Sequence, residues 1–210
     1  MRRRVLKALR RAIVQGVFPP GAALPERKLR AMLGTAPHFI DEALRQLAAE
    51  GLVQIVPGKG AVVRLIDGDE ARQIDEVRGA LTALAARRLA ERGGERRIAG
   101  LEAALDRLER ASDAGDWPAG AAAAARFYRV FFERAGNPVL NELIQSLNGR
   151  VHPLRLAAPP APGRARAALG ELRRILAAVR LGNGEQAARE AADHVRRGGG
   201  GALGLKRPAD

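Results

Sequence analysis

The segment from Leu33 to Val63 limits the possible folds of this chain more than any other part of its sequence. Its second residue is Gly34, a residue type that commonly ends helices, and a new helix-forming run follows. Apolar residues recur in this run at the spacing of one helix face, and they are Ile40, Ala43, Leu44 and Leu47. Two short β-branched runs follow, LVQIV and AVVRL, joined by PGKG. A helix followed at once by a glycine-tipped hairpin predicts the recognition helix and wing of a winged helix-turn-helix.

The residues before Gly34 supply the two further helices that such a domain requires. Apolar spacing predicts a first helix over residues 4–16, which the prolines of GVFPPG end, and a second helix in LPERKLRAML. Thr35 is suited to the N-cap of the third helix, and Pro37 is tolerated in the first turn of that helix. We therefore predict a winged helix-turn-helix DNA-binding domain over residues 1–66.

Strand-forming runs disappear after Asp67, and amphipathic helical patterns take their place. Six such patterns lie between residues 67 and 197, which predicts one antiparallel six-helix bundle. Hydrophobic residues make up 47% of the chain but aromatic residues only 3%, so aliphatic side chains and alanine must form most of the core. The glycine-rich end, residues 198–210, is expected to be a flexible tail. The predicted fold class is mainly α, a winged helix-turn-helix followed by the bundle.

Positive charge is concentrated in the first third of the chain. The formal net charge is +13 at pH 7. Residues 1–66 hold twelve basic and four acidic residues, a net charge of +8, and the rest of the chain carries +5. A small basic domain is typical of binding to the phosphate backbone of double-stranded DNA, although a general preference for arginine in the composition would also raise the charge.

The composition disfavours several other classes of protein. The chain has no cysteine, which excludes disulfides and thiolate metal sites and suits a reducing compartment. No apolar run approaches the ~20 residues of a transmembrane helix, and the basic start lacks the features of a signal peptide, so we expect a cytoplasmic protein without a membrane partner. Ser112 and Ser146 are the only serines, and the three histidines show no nucleophile–base spacing, which argues against an enzyme.

Several motifs resemble the GntR family of bacterial transcriptional regulators, and specifically its FadR-like subgroup with an all-helical FCD effector domain. In the first domain they are IVQGVFPPGAALPERKL, DEALRQLAAEGLV and PGKGAVV. In the second they are DEVRGALTALAARRLA, RFYRVFFERAGNPVL and AAVRLGNGEQAAREAADHV. The resemblance implies a homodimer, a DNA operator, and a small acidic metabolite bound as the effector in the helical domain, residues 67–197.

The predicted recognition helix lacks the arginines that the resemblance leads us to expect. Ala36 and Pro37 stand where the family usually has a Ser/Thr–Arg pair, and Asp41 stands in place of a second arginine. Bidentate arginine–guanine pairs are the commonest specific base contact, so specificity is altered or binding is weakened. The candidate DNA contacts that remain are Arg27, by its match to a family arginine, together with Thr35, His38, Arg45 and Lys59.

Two of these candidates leave alternatives open. His38 is equally consistent with a solvated histidine and with a contact to DNA, and PGKG taken alone is equally a tight turn with a solvated Lys59. Arg45 lies four residues after Asp41, and we expect a helical ion pair between them that mutes both charges.

The helical domain also lacks residues that the family pattern leads us to expect. Many members of the subgroup hold a divalent metal with one Asp and three His, and the corresponding positions here are Ala124, Tyr128, Leu172 and His194. One imidazole cannot hold such an ion against water, so we predict no metal cofactor. The candidate effector-binding residues are Arg78, Tyr128 and His194, with buried, internally hydrogen-bonded core residues as the open alternative for the last two.

Two functions therefore remain from the sequence. The first is a dimeric transcriptional regulator that binds DNA and responds to a small molecule. The alternative is a degenerate member of the family, with weak or altered DNA binding, that acts through protein–protein interaction.

Overall fold

The computed structural model describes residues 1–114, 117–157 and 163–202. They form two compact units. The first comprises Met1–Ala71 and the described part of Ser146–Pro159, and the second comprises Arg72–Gln145 and the described part of Pro160–Asp210.

The first unit contains the predicted winged helix-turn-helix. Its elements are α1 (Arg2–Val14), α2 (Glu26–Leu33), α3 (Pro37–Ala49), β1 (Val53–Val56) and β2 (Gly60–Val63). The strands pair antiparallel, with Val53 opposite Val63 and Val56 opposite Gly60. Apolar faces of the three helices meet in one core, whose fully enclosed members include Leu9, Ile13, Leu29, Ile40 and Leu47.

The chain between α1 and α2 adds an extended segment to the free edge of the wing. The amide of Leu24 donates to the carbonyl of Ala61 at 2.8 Å, and the amide of Val63 donates to the carbonyl of Ala22 at 2.8 Å. These bonds satisfy backbone groups of β2 on the side away from β1, so the wing is anchored to the helical part of the domain.

Six helices follow the wing within the described residues. They are α4 (Gly68–Arg92), α5 (Glu95–Asp113), α6 (Trp117–Arg134), α7 (Pro138–Ala157), α8 (Arg164–Arg180) and α9 (Gly184–Ala202). Their mainly aliphatic core is completed by Phe127, Phe131 and Phe132 of α6. This arrangement confirms the predicted fold class, a mainly helical chain with a two-stranded wing. None of the described helices combines the length and apolar composition needed to cross a lipid bilayer.

The end of α7 belongs to the first unit and not to the second, where the helix begins. Glu70, in the first turn of α4, accepts hydrogen bonds from Arg64 after the wing, at 2.9 Å, and from Arg150 of α7. Gly149 of α7 packs close to Leu52, because a side-chain Cβ at position 149 would lie 3.6 Å from the Cδ2 atom of Leu52. The sequence gives no sign of this packing, because it joins residues that are 80 positions or more apart.

The last helix extends further than the sequence suggests. α9 continues through Gly198 to Ala202, which are residues that we assigned to a flexible tail. The remainder of that predicted tail, residues 203–210, lies outside the described residues.

Candidate functional site

The recognition helix α3 begins one residue later than a Thr35 cap requires. Pro37 is the first helical residue, and Ala36 occupies the N-cap position with extended backbone angles and no side-chain cap bond. Proline fixes φ and lacks an amide hydrogen, so it suits the first helical position and moves the cap to Ala36. The prediction that Thr35 caps this helix is therefore wrong.

The hydroxyl of Thr35 is enclosed at the start of α3. Its Oγ1 is buried and has no hydrogen-bond partner among the residues that the structure describes. A contact between this oxygen and DNA, as the sequence suggested, requires the side chain to rotate outward.

The exposed face of α3 carries mixed charge. His38, Asp41 and Arg45 are exposed, and the His38 ring lies against that of Phe39 with 3.9 Å between centroids. The predicted ion pair between Asp41 and Arg45 is not among the ion pairs of the first unit's described residues, which corrects that expectation. Solvent screens the attraction between two exposed charges, and the remaining attraction does not offset the entropy lost when both side chains are fixed.

The other candidate DNA contacts lie on the surface of the same unit. Lys59 is exposed at the tip of the hairpin, between Gly58 at φ 74° and Gly60 at φ 77°. Both glycines adopt left-handed backbone conformations that other residues rarely adopt, which explains their presence on each side of the lysine. Arg27 is exposed in the first turn of α2.

A chain of polar side chains runs through the interior of the helical unit. The Tyr128 hydroxyl of α6 is hydrogen-bonded to Nε2 of His194 on α9, and Nδ1 of His194 lies 2.7 Å from Oε2 of Glu171 on α8. Both oxygens of Glu171 accept from Arg164, at 3.0 and 2.7 Å. We call these four residues the buried polar network. His194 is 6% exposed and Glu171 4%.

The sequence named only half of this network. It grouped Tyr128 with His194, and the structure brings these two side chains into direct contact. It did not single out Glu171, and it placed Arg164 in the loop before the fifth bundle helix; in the structure Arg164 begins α8, and a spacing of seven positions puts it on the same helix face as Glu171. That spacing was the available signal.

The environment of Glu171 determines its charge. Burial by itself raises the pKa of this carboxyl group, and hydrogen bonds from Arg164 and then from His194, together with electrostatic attraction to the same two residues, more than offset burial. The net pKa lies below the ordinary value for glutamate, so Glu171 is ionised at neutral pH.

The third candidate effector residue, Arg78, lies on α4. It is buried, 7% exposed, and its guanidinium pairs with Asp75 one turn earlier on the same helix. Its backbone carbonyl accepts a hydrogen bond from the Thr82 hydroxyl at 2.6 Å. Arg78 therefore has the acidic partner that a buried arginine requires.

The residues at the family's metal positions do not fit a metal ion. Ala124 and Leu172 have no donor atom, and Leu172 is part of the apolar core. Both ring nitrogens of His194 are engaged by Tyr128 and Glu171. Among the described residues, no three His, Cys, Asp or Glu side chains converge as ligands would.

A separate cleft of about 420 Å³ opens between α4, α5 and the end of α8. Its lining includes Ala90, Ile98 and Val179, and its two charged side chains, Glu102 and Arg180, pair with each other. None of the buried polar network lines this cleft.

Comparisons with known proteins identify both parts of the chain. Residues 1–63 match the family described as bacterial regulatory proteins, gntR family, and residues 73–197 match the FCD domain. An uncharacterised HTH-type transcriptional regulator of Mycobacterium tuberculosis is 31% identical over 206 residues, with 88% of this chain and 82% of that protein covered. One from Agrobacterium vitis is 35% identical over 126 residues, covering 59% of this chain and 74% of its own length.

Solved structures agree at the level of fold. Escherichia coli McbR/YncC gives a TM-score of 0.82 at 23% identity, with 94% of each chain covered. A putative GntR regulator from Rhodococcus sp. RHA1 gives 0.79 at 23% identity, with 98% of this chain and 99% of that chain covered. The matching family and the curated relatives are named as transcriptional regulators, which confirms the prediction that the chain is not an enzyme. The chain belongs to the GntR family of bacterial transcriptional regulators, with an FCD domain following its DNA-binding domain.

Proposed function

We propose that this regulator binds operator DNA through α3 and the wing, and that a small acidic metabolite bound in the helical domain changes its affinity for DNA. The observation that carries the DNA-binding part is the exposure of four side chains of the winged unit, which are Arg27 on α2, His38 and Arg45 on α3, and Lys59 at the tip of the hairpin. The proposal implies a cytoplasmic protein, because its partner is chromosomal DNA.

The cationic residues act mainly on the phosphate backbone. With Ala36 before α3 and Pro37 and Asp41 on it, base reading through arginine is reduced, and His38 and Arg45 are the hydrogen-bond donors among the exposed side chains of this helix. Arg27 and Lys59 lie outside α3, and contacts to phosphate fix orientation without reading sequence.

Substitution of these two cations tests the DNA-binding proposal. A duplex selected from a random pool and an unrelated duplex of equal length serve as probes, with affinity measured by fluorescence anisotropy over a salt series. Arg27→Ala and Lys59→Ala are each expected to weaken both complexes alike and to lower the salt slope by about 0.9. Arg126→Ala, an exposed position on α6, is the matched control. Equally weak binding of the unmodified protein to every sequence would contradict operator recognition.

An anionic effector is supported by the charge around the buried polar network. Glu171 pairs with Arg164 at 2.7 Å and with Arg197 at 3.6 Å. Arg197 also faces Asp193, which pairs with Arg196. Three arginines against two carboxylates leave a formal charge of +1, which one carboxylate of a metabolite would balance. Tyr128, His194 and Arg78 are the proposed polar contacts of that metabolite, which would replace the side-chain partners that they have in this structure.

Titration with candidate carboxylates tests the effector. Saturating ligand is expected to change operator affinity by roughly 5- to 150-fold, the usual range of coupling between two sites. Arg197→Gln, at a side chain that is 50% exposed, is expected to reduce the response and leave the affinity without ligand unchanged. Unchanged affinity at saturation with every carboxylate would remove this part of the proposal.

We also infer a homodimer, which would present two recognition helices to two half-sites. Apolar side chains are exposed at helical spacing on two bundle helices, Val77 and Leu84 on α4 and Val139 and Leu143 on α7. A second copy of the chain is the proposed partner of these stripes. Light scattering of the intact protein is expected to give twice the chain mass, and Val77→Glu with Leu84→Glu is expected to lower it.

A further inference from the structure

Two ion pairs fix α1 alongside the recognition helix. Arg2 lies 2.9 Å from Glu42, and Arg10 forms a bidentate pair with Glu50, with the closest contact at 2.6 Å. Both pairs join residues forty positions apart. Because the offset is constant, α1 and α3 run side by side in the same direction, and the first turn of α1 lies beside the first half of α3.

This register sets the height of α1 above the DNA. Glu42 lies five residues after Pro37, which begins α3, and five residues of helix rise about 7.5 Å. The major groove of B-DNA is about 8.5 Å deep. For a recognition helix that enters the groove by its leading end, with its axis along the depth of the groove, this rise places the first turn of α1 at about the level of the phosphates that border the groove.

The side chains at that level are cationic. Arg2, Arg3, Arg4 and Lys7 are all exposed, and within the described chain Arg3, Arg4 and Lys7 make none of the ion pairs found in the first unit. Glu42 shares the exposed face of α3 with His38, four positions earlier. Arg2 neutralises this carboxylate, which would otherwise repel phosphate.

The local physics of α1 does not explain three consecutive arginines. Cations in the first turn of a helix oppose its dipole and destabilise it, and α1 has no acidic residue there. Residues that destabilise their own secondary-structure element are expected where function requires them.

We propose that Arg3 and Arg4, positioned by the Arg2–Glu42 pair, bind the DNA phosphates beside the groove that α3 enters. They would supply from α1 the cationic contacts that α3 lacks at Ala36, Pro37 and Asp41. This inference rests on the proposed DNA-binding function, and it adds a contact surface on a different helix.

The test measures binding of the intact protein to a 30-base-pair duplex of random sequence by fluorescence anisotropy over a salt series. The variant Arg3→Gln/Arg4→Gln removes two exposed charges from α1. The control Arg126→Gln/Arg129→Gln removes two exposed charges from α6 of the helical unit. Thermal unfolding of each variant checks that the fold is intact.

Two phosphate contacts correspond to a loss of about 1.8 in the salt slope. If both proteins bind equally at 1 M salt, a slope lower by 1.8 makes the variant bind about 60-fold more weakly than the unmodified protein at 0.1 M salt. The α1 variant is expected to show this loss, and the α6 control is expected to bind like the unmodified protein.

The inference is overturned if the α1 variant keeps the original slope and affinity, or if the α6 control loses as much. The proposed DNA binding survives both of these results. Failure of the unmodified protein to bind any duplex would overturn that proposed function together with this inference.

Discussion

At the scale of single residues, Glu171 has the largest expected effect on stability. It is buried, accepts two hydrogen bonds from Arg164, and lies 2.7 Å from His194. Removing one partner of a buried ion pair leaves the other charge without compensation, which costs about 3–5 kcal/mol. Glu171→Ala is expected to lower the free energy of unfolding by this amount in urea denaturation.

A matched control for this substitution is Glu185→Ala. Glu185 pairs with Arg87 at 2.9 Å, but its side chain is 67% exposed. Exposed pairs contribute about 0–1 kcal/mol, so this variant is expected to unfold almost as the unmodified protein does. Equal losses in the two variants would contradict the structural role of the buried polar network.

The lowered pKa of Glu171 also predicts a pH dependence of stability. The pKa in the folded state lies below the unfolded value of about 4.3, so the stabilisation is complete above that value and declines as pH falls through the folded pKa. Glu171→Gln removes the titrating group. Urea denaturation between about pH 5 and pH 3 is expected to show a smaller loss of unfolding free energy in this variant than in the unmodified chain.

Glu185→Gln again provides the comparison. Because Glu185 is exposed, this variant is expected to retain the full acid sensitivity of the unmodified protein. An identical pH profile for Glu171→Gln would show that other carboxylates account for the acid sensitivity.

At the scale of elements, the bidentate pair between Arg10 and Glu50 holds the second half of α1 to the C-cap of α3. Both side chains are partly exposed, so solvent screens the attraction. Arg10→Ala is expected to lower the free energy of unfolding by about 1 kcal/mol, measured as a reduced denaturation midpoint with an unchanged slope.

The neighbouring Arg11→Ala serves as the control for Arg10. Arg11 is exposed, and within the described parts of the chain its side chain donates only to Gln15 on its own helix, at 3.2 Å. A loss in Arg11→Ala as large as that in Arg10→Ala would mean that helix propensity, and not the pairing of α1 with α3, sets the effect.

The start of α3 shows that the exact boundary of a helix is hard to predict from the sequence. Thr35 has the residue type of an N-cap, but Pro37 begins the helix and Ala36 precedes it. The fixed φ of Pro37 favours the first helical position and leaves Ala36 as the N-cap, although intrinsic N-cap preferences rank threonine well above alanine.

At the scale of the whole molecule, we predict that stability is independent of divalent metal. The family's metal positions hold Ala124 and Leu172, and His194 is engaged at both nitrogens. EDTA is expected to leave the melting temperature unchanged, and zinc, nickel or manganese ions are expected not to raise it. Metal analysis of the purified protein is expected to find far less than one ion per chain.

Binding of a divalent metal ion would instead raise the melting temperature. At a concentration one hundred times its dissociation constant, it would stabilise the fold by about 2.7 kcal/mol. For a chain of this size that corresponds to a rise of several degrees, at roughly 2–4 °C per kcal/mol. Such a rise with any of the three ions would contradict the absence of a metal site.

The sequence alone determined the elements, their order and the mainly helical fold class, since helix periodicity, proline breaks and the glycine-flanked hairpin are properties of neighbouring residues. Only the tertiary structure decided that Glu171 and Arg164 complete the contact between Tyr128 and His194, and that the end of α7 packs with the winged unit. It also set the parallel register of α1 and α3 through Arg2 and Glu42. These pairings join distant positions, and they depend on how whole helices pack, which local patterns do not encode.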